Sequence, residues 1–151
     1  MNPILLISFI SFFGYIIYIQ RKYGVLPSIS DSFYKTENDL LFLAFTLGTA
    51  LPIIFTTPYN LMIIAGVLLT YVGLSPDFNK DGKKVEDEVH VIAAMGAVII
   101  GMISMVINYK LWYIPIPLVL FLIVTKVFKI NNPTFWIEVI AFTSILIGLC
   151  I

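Results

Sequence analysis

The sequence predicts an all-α fold, a polytopic transmembrane bundle of six spans in a single domain over residues 1–151. Three observations carry this. The chain is 60% hydrophobic and only 12% charged, with a mean hydropathy of +0.99. So little polar surface could not cover a fold in water, whereas lipid solvates an apolar exterior. Apolar runs close to the roughly 17–25 residues needed to cross as a helix recur along the chain. Backbone groups in hydrocarbon must be satisfied within their own segment, and runs this uniform lack the alternation of barrel strands.

Taken in order, the apolar segments are Pro3–Ile19, Leu40–Phe55, Tyr59–Leu74, Val89–Ile107, Leu111–Phe128 and Phe135–Ile151. The opening Asn2-Pro3 and the run behind it lack the basic region and cleavage site of a secretory signal, so the first segment reads as a retained span. Thr56-Thr57-Pro58 and Asn108-Tyr109-Lys110 are tight connections that pair spans two with three and four with five. A variant with five spans follows if the short third segment is re-entrant. Pro52 is expected to kink span two, and Pro115 with Pro117 the start of span five, because each removes a backbone donor.

Small residues mark where helices approach one another in a bilayer. They form stripes at Ala44, Gly48 and Pro52, at Gly66, Thr70 and Gly73, at Ala93, Ala97, Gly101 and Ser104, and at Ala141, Ser144 and Gly148. His90 lies one turn before Ala93 and Ala94, and Glu138 one turn before Ala141. Both therefore fall on packed faces, turned away from lipid.

Charge sets the expected orientation. Arg21, Lys22, Lys35, Lys80, Lys83, Lys84, Lys126 and Lys129 fall on the side of the first, third and fifth loops, and Lys110 alone on the other. The positive-inside rule places the long loops in the cytoplasm and both termini outside, in a bacterial inner or plasma membrane. Zero net charge gives no basic stripe for nucleic acid. The expected partners are membrane lipids, with a homo-oligomer left open. The one cysteine, Cys150, excludes an internal disulfide and a multi-cysteine metal site.

Polar chemistry gathers on the same side. The stretch Pro76–His90 holds five of the nine acids, three of the nine basic residues and the only histidine. Within it Asp77, Asn79, Asp81, Gly82 and Glu88 fit the calcium-loop pattern D-x-[DN]-x-[DN]-G-x5-E. In such a loop Asp77, Asn79 and Asp81 give side-chain oxygens, Lys83 its carbonyl and Glu88 a bidentate carboxylate. Asn79-Lys80-Asp81-Gly82 is also a plain turn sequence, and Lys84 stands where a paired loop carries an apolar residue. Calcium is therefore one cofactor reading and a solvated turn the other.

Ser28, Ser30 and Asp31 follow span one, with His90 and Glu138 just inside later spans. Ionisable groups inside spans are costly and point to a partner or a task. Together these five residues suggest a polar pocket for a lipid headgroup or cation. The same residues allow a metal-dependent, lipid-modifying hydrolase, with a single histidine and carboxylates from Asp31, Asp39, Asp77 or Glu138 as ligands. A small transporter is a further reading, although no broken-helix pair marks a midplane site.

The element Leu26-Pro27-Ser28-Ile29-Ser30-Asp31-Ser32-Phe33-Tyr34, followed by a span containing Gly48 and a polar loop ending in His90, resembles a group of bacterial six-span membrane proteins. These are similar in turn to the DRAM and FGF-receptor-activating-protein type. The resemblance runs from Leu26 to Met105. It implies a six-helix bundle whose serine-rich first loop and His90 meet on one face, and it brings no activity with it. Ceramidase-type membrane hydrolases use an H-x-x-x-H pair that this chain lacks, since position 94 is Ala.

Overall fold

The computed structural model describes residues 2–36, 38–78 and 84–151, apart from the side chains of Asp39, of residues 75–78 and of residues 84–89. Its helices are α1 (Pro3–Tyr23), α2 (Asp31–Thr36), α3 (Asp39–Thr56), α4 (Asn60–Phe78), α5 (Lys84–Ile107), α6 (Ile116–Val127) and α7 (Pro133–Gly148). Among the described residues there is no strand.

Local chemistry sets the helix ends. Asn2 caps α1 by accepting the Ile4 N–H at 3.0 Å, with Pro3 in the first turn where its missing donor costs nothing. Gly24 ends α1 at φ 76°, a conformation that favours glycine, and its N–H returns to the Gln20 carbonyl. Asn38 caps α3 through the Leu41 N–H at 3.1 Å. α7 opens with Pro133 in its first turn.

The helices pack in the order α1, α3, α4, α5, α7, α6, each against the next, with α2 lying on α3. The small residues do what the stripes suggested. A Cβ at Gly101 would lie 2.7 Å from Ile145 Cδ1, and one at Gly148 2.6 Å from Met105 Sδ, so both glycines draw α5 and α7 together. Gly48 meets Ser11 of α1, and Gly73 meets Thr46 across the α3–α4 contact. Ser8 of α1 donates to the Thr49 carbonyl of α3 at 2.8 Å, with both residues fully buried. An aromatic cluster fills the centre: Tyr15 stacks on Phe45 with ring centroids 4.2 Å apart, and Phe12 reaches Phe142 of α7 at 5.7 Å.

The third apolar segment is a continuous helix packed along both α3 and α5. The fifth begins at Ile116 instead of Leu111, because Pro115 and Pro117 cannot donate to a preceding turn and residues 112–115 form turns. The Ser-rich stretch after α1 is irregular through Ser30, as a loop, and leads into the six-residue helix α2.

By length and composition, Pro3–Tyr23 and His90–Ile107 are long and apolar enough to cross a membrane. Leu40–Thr56, Asn60–Leu74, Ile116–Val127 and Pro133–Gly148 are shorter apolar helices. No residue of α6 is buried, although its sequence is almost wholly apolar.

Candidate functional site

The residues from Val25 to Asp31 cross over the start of α7 and are tied to it. Asn132 Nδ2 donates to the Val25 carbonyl at 2.8 Å. The Phe135 N–H, which has no partner within its own first turn, donates to the Pro27 carbonyl at 3.1 Å. The Ile29 N–H donates to Glu138 Oε2 at 2.6 Å. On the other side, Ser32 donates to the Ile29 carbonyl. That leaves the Tyr15 hydroxyl as donor in its 2.6 Å contact with Ser32 Oγ. The turn is therefore fixed to α7 directly and to α1 through Ser32.

Within the turn, Ser28 acts as a cap for α2. Its Oγ accepts the Asp31 N–H at 3.1 Å and donates to Asp31 Oδ2 at 2.8 Å, a variant of the capping box. The Ser28 proton is committed to Asp31, so the Ser30 hydroxyl is the donor in the 3.0 Å Ser28–Ser30 contact. A serine hydroxyl has one proton and two lone pairs. Ser28 is thus saturated, and Ser30 keeps its acceptor capacity.

Ser28, Ser30, His90, Thr134 and Glu138 form the polar part of a cavity of about 450 Å³. Its walls are Val91, Ala94, Met95, Val98 and Ile99 of α5, Leu122 of α6, and Ile137 and Phe142 of α7. A chamber of about 30 Å³ lies behind it and shares Ser30, Ala94, Glu138 and Phe142. A mostly apolar cavity of this size with a few convergent polar groups has the usual form of a small-molecule site. His90 Nε2 is buried.

Four of the five residues singled out as a polar pocket, Ser28, Ser30, His90 and Glu138, line this cavity. Asp31 does not line it and instead holds Ser28. Thr134, which the sequence reading missed, lies four residues before Glu138 on the same face of α7. Of the calcium-loop residues, Asn79, Asp81 and Lys83 lie outside the described residues, as do the side chains of Asp77 and Glu88. Among the described residues, no three of His, Cys, Asp and Glu come together to hold a metal ion. The carboxylates Asp31 and Glu138 therefore do not join His90 as a zinc centre. The Asp39 and Asp77 side chains lie outside the described residues.

The opposite end of the bundle is aromatic. The Tyr109 hydroxyl lies 2.6 Å from Thr57 Oγ1, its ring meets Tyr59 edge-on at 4.8 Å, and burial pushes its phenol above the ordinary range. Trp112 and Tyr113 are exposed beside them. Compared with family models, curated proteins and solved structures, the chain matches none.

Proposed function

We propose that the chain is a multi-pass membrane protein that binds the polar headgroup of a lipid in the cavity between α5, α6, α7 and the Ser28–Asp31 turn. The observation that carries this reading is the composition of that cavity: five polar residues at one end and apolar walls below them. In a bilayer such a gradient matches a lipid, polar where the headgroup lies and apolar where the chains begin.

Several features support the membrane setting. α6 leaves its apolar side chains uncovered, including Val119, Leu120 and Ile123, which water would penalise and lipid would solvate. Aromatic residues stand at both ends of the bundle, as at the two faces of a bilayer: Tyr59, Tyr109, Trp112 and Tyr113 at one, Tyr18, Tyr23, Tyr34 and Trp136 at the other. The basic side chains Lys22, Lys35 and Lys129 belong to the cavity end, and Lys110 to the other. Together with the continuous α4, this favours six crossings with the cavity mouth on the cytoplasmic face.

Photolabelling tests the binding. A glycerolipid carrying a diazirine beside its headgroup is expected to label peptides covering residues 26–36, 90–99 and 133–142 in native membranes. Labelling spread evenly over the outer faces of α1 and α6 would mean that lipid surrounds the bundle without entering it.

A further inference from the structure

We infer that the cavity seats a single-chain amphiphile whose head donates hydrogen bonds, an alcohol or amine and not a phosphate or carboxylate, with its chain lying along α5. This rests on the headgroup reading above and narrows it.

The polarity of the head follows from what the turn has already used. Ser28 is saturated, and the one proton of Ser30 is directed at Ser28. Glu138 Oε2 is taken by the Ile29 N–H, which leaves Oε1 as an acceptor. Ser30 and Glu138 therefore offer acceptors to the cavity, beside the Thr134 hydroxyl and the His90 ring, which can also donate. Asp31 stands behind Ser28 as a second acidic group. Among the described residues, no lysine or arginine lines the cavity. An ammonium or hydroxyl head finds acceptors here at Ser30 and Glu138, whereas an anionic head meets carboxyl groups and, among the described residues, has only the Thr134 hydroxyl and the His90 ring as side-chain donors.

The seat for the chain follows from depth. From His90 to Ile99 the α5 wall runs over ten residues, nine steps of about 1.5 Å that give roughly 14 Å. That is about half of the ~30 Å hydrocarbon core, the depth of one leaflet. Val98 and Ile99 also line an apolar groove of about 420 Å³ between α5 and α6, which continues past Met102 and Ile103 to Pro115. A chain longer than the cavity thus has a path onward and need not be refused.

The test is thermal unfolding of the full chain in phosphatidylcholine nanodiscs with added monopalmitoylglycerol, hexadecylamine, palmitate, palmitoyl phosphate or glycerol. The first two are expected to raise Tm saturably. The two anionic probes should need concentrations about tenfold higher or more, the effect of losing one charge-assisted hydrogen bond. Glycerol, which has the head without the chain, should do nothing. Met95→Trp places bulk in the wall at a position that is 59% exposed. It should remove the response to both chain-bearing donors while leaving the unliganded Tm in place. Ser30→Ala, read in the same assay, should weaken the donor-headed probes and leave the anionic ones unchanged.

Anionic probes that bind as well as the donors would overturn the choice of head while the headgroup reading stands. Glycerol matching monopalmitoylglycerol, or Met95→Trp without effect, would overturn the chain seat. If no probe of either kind shifts Tm, the headgroup reading falls with both.

Discussion

Gly73→Ala is expected to destabilise the protein by about 1–3 kcal/mol, the usual cost of forcing extra volume into a packed core. A Cβ at position 73 would lie 2.7 Å from Thr46 Cβ and closer still to Thr46 Oγ1. Thr46 is fully buried, and its hydroxyl is held by the Phe42 carbonyl at 3.2 Å and the Leu43 carbonyl at 3.0 Å, so it cannot swing aside. Adding Thr46→Ala removes the Oγ1 and Cγ2 atoms but keeps the Cβ that lies 2.7 Å from the new methyl group, so it relieves only part of the clash. The double variant should recover part of the loss, and the coupling in the cycle should exceed about 0.5 kcal/mol. Denaturant unfolding in mixed micelles measures all four proteins. Equal stability of Gly73→Ala and the parent would mean that α3 and α4 do not approach through these two residues.

Phe12→Ala is expected to cost about 3 kcal/mol, toward the low end for removing a buried phenylalanine. Phe12 is 0% exposed, with ring centroids 5.2 Å from Phe13, 6.2 Å from Phe45 and 5.7 Å from Phe142. In the proposed bilayer setting the transfer contribution shrinks, because the unfolded side chain is already in an apolar solvent, and the lost packing contacts remain. Phe142 also lines the cavity, so the void left by Phe12 gives that ring somewhere to go. Ligand affinity should fall along with stability. Leu120→Ala on the exposed side of α6 is the control, with an expected change within about 0.5 kcal/mol. A Phe12→Ala variant as stable as the Leu120→Ala control would place Phe12 outside the core.

Much of the packing was legible because its signals are local. Gly48, Gly66, Gly73, Gly101 and Gly148 sit in apolar runs at helical spacing, and each is a place where a side chain from another helix comes too close to admit a Cβ. The helix α2 could also have been read: Ser28-Ile29-Ser30-Asp31 has the spacing of a capping box, but its serines and aspartate were weighed as ligands instead of as a cap. Placing Ser30 and His90 beside Glu138 needs more. The Glu138–Ile29 hydrogen bond joins residues 109 positions apart, and no periodicity in a single sequence encodes such a pairing. The start of α6 was misjudged for a different reason. Leu111–Ile114 is as apolar as a span, and hydropathy alone outweighed the two prolines that stop a helix from forming there.

In the proposed arrangement the cavity end and the aromatic end of the bundle lie on opposite sides of a membrane. The most direct measurement is the labelling of single cysteines by an impermeant maleimide in a Cys150→Ser background, at Lys110→Cys and at Lys129→Cys. Both positions are exposed. Lys110→Cys is expected to label in intact cells and Lys129→Cys only after the membrane is opened or inverted. Labelling of both from the same side would contradict the crossing of α6 and the account built on it.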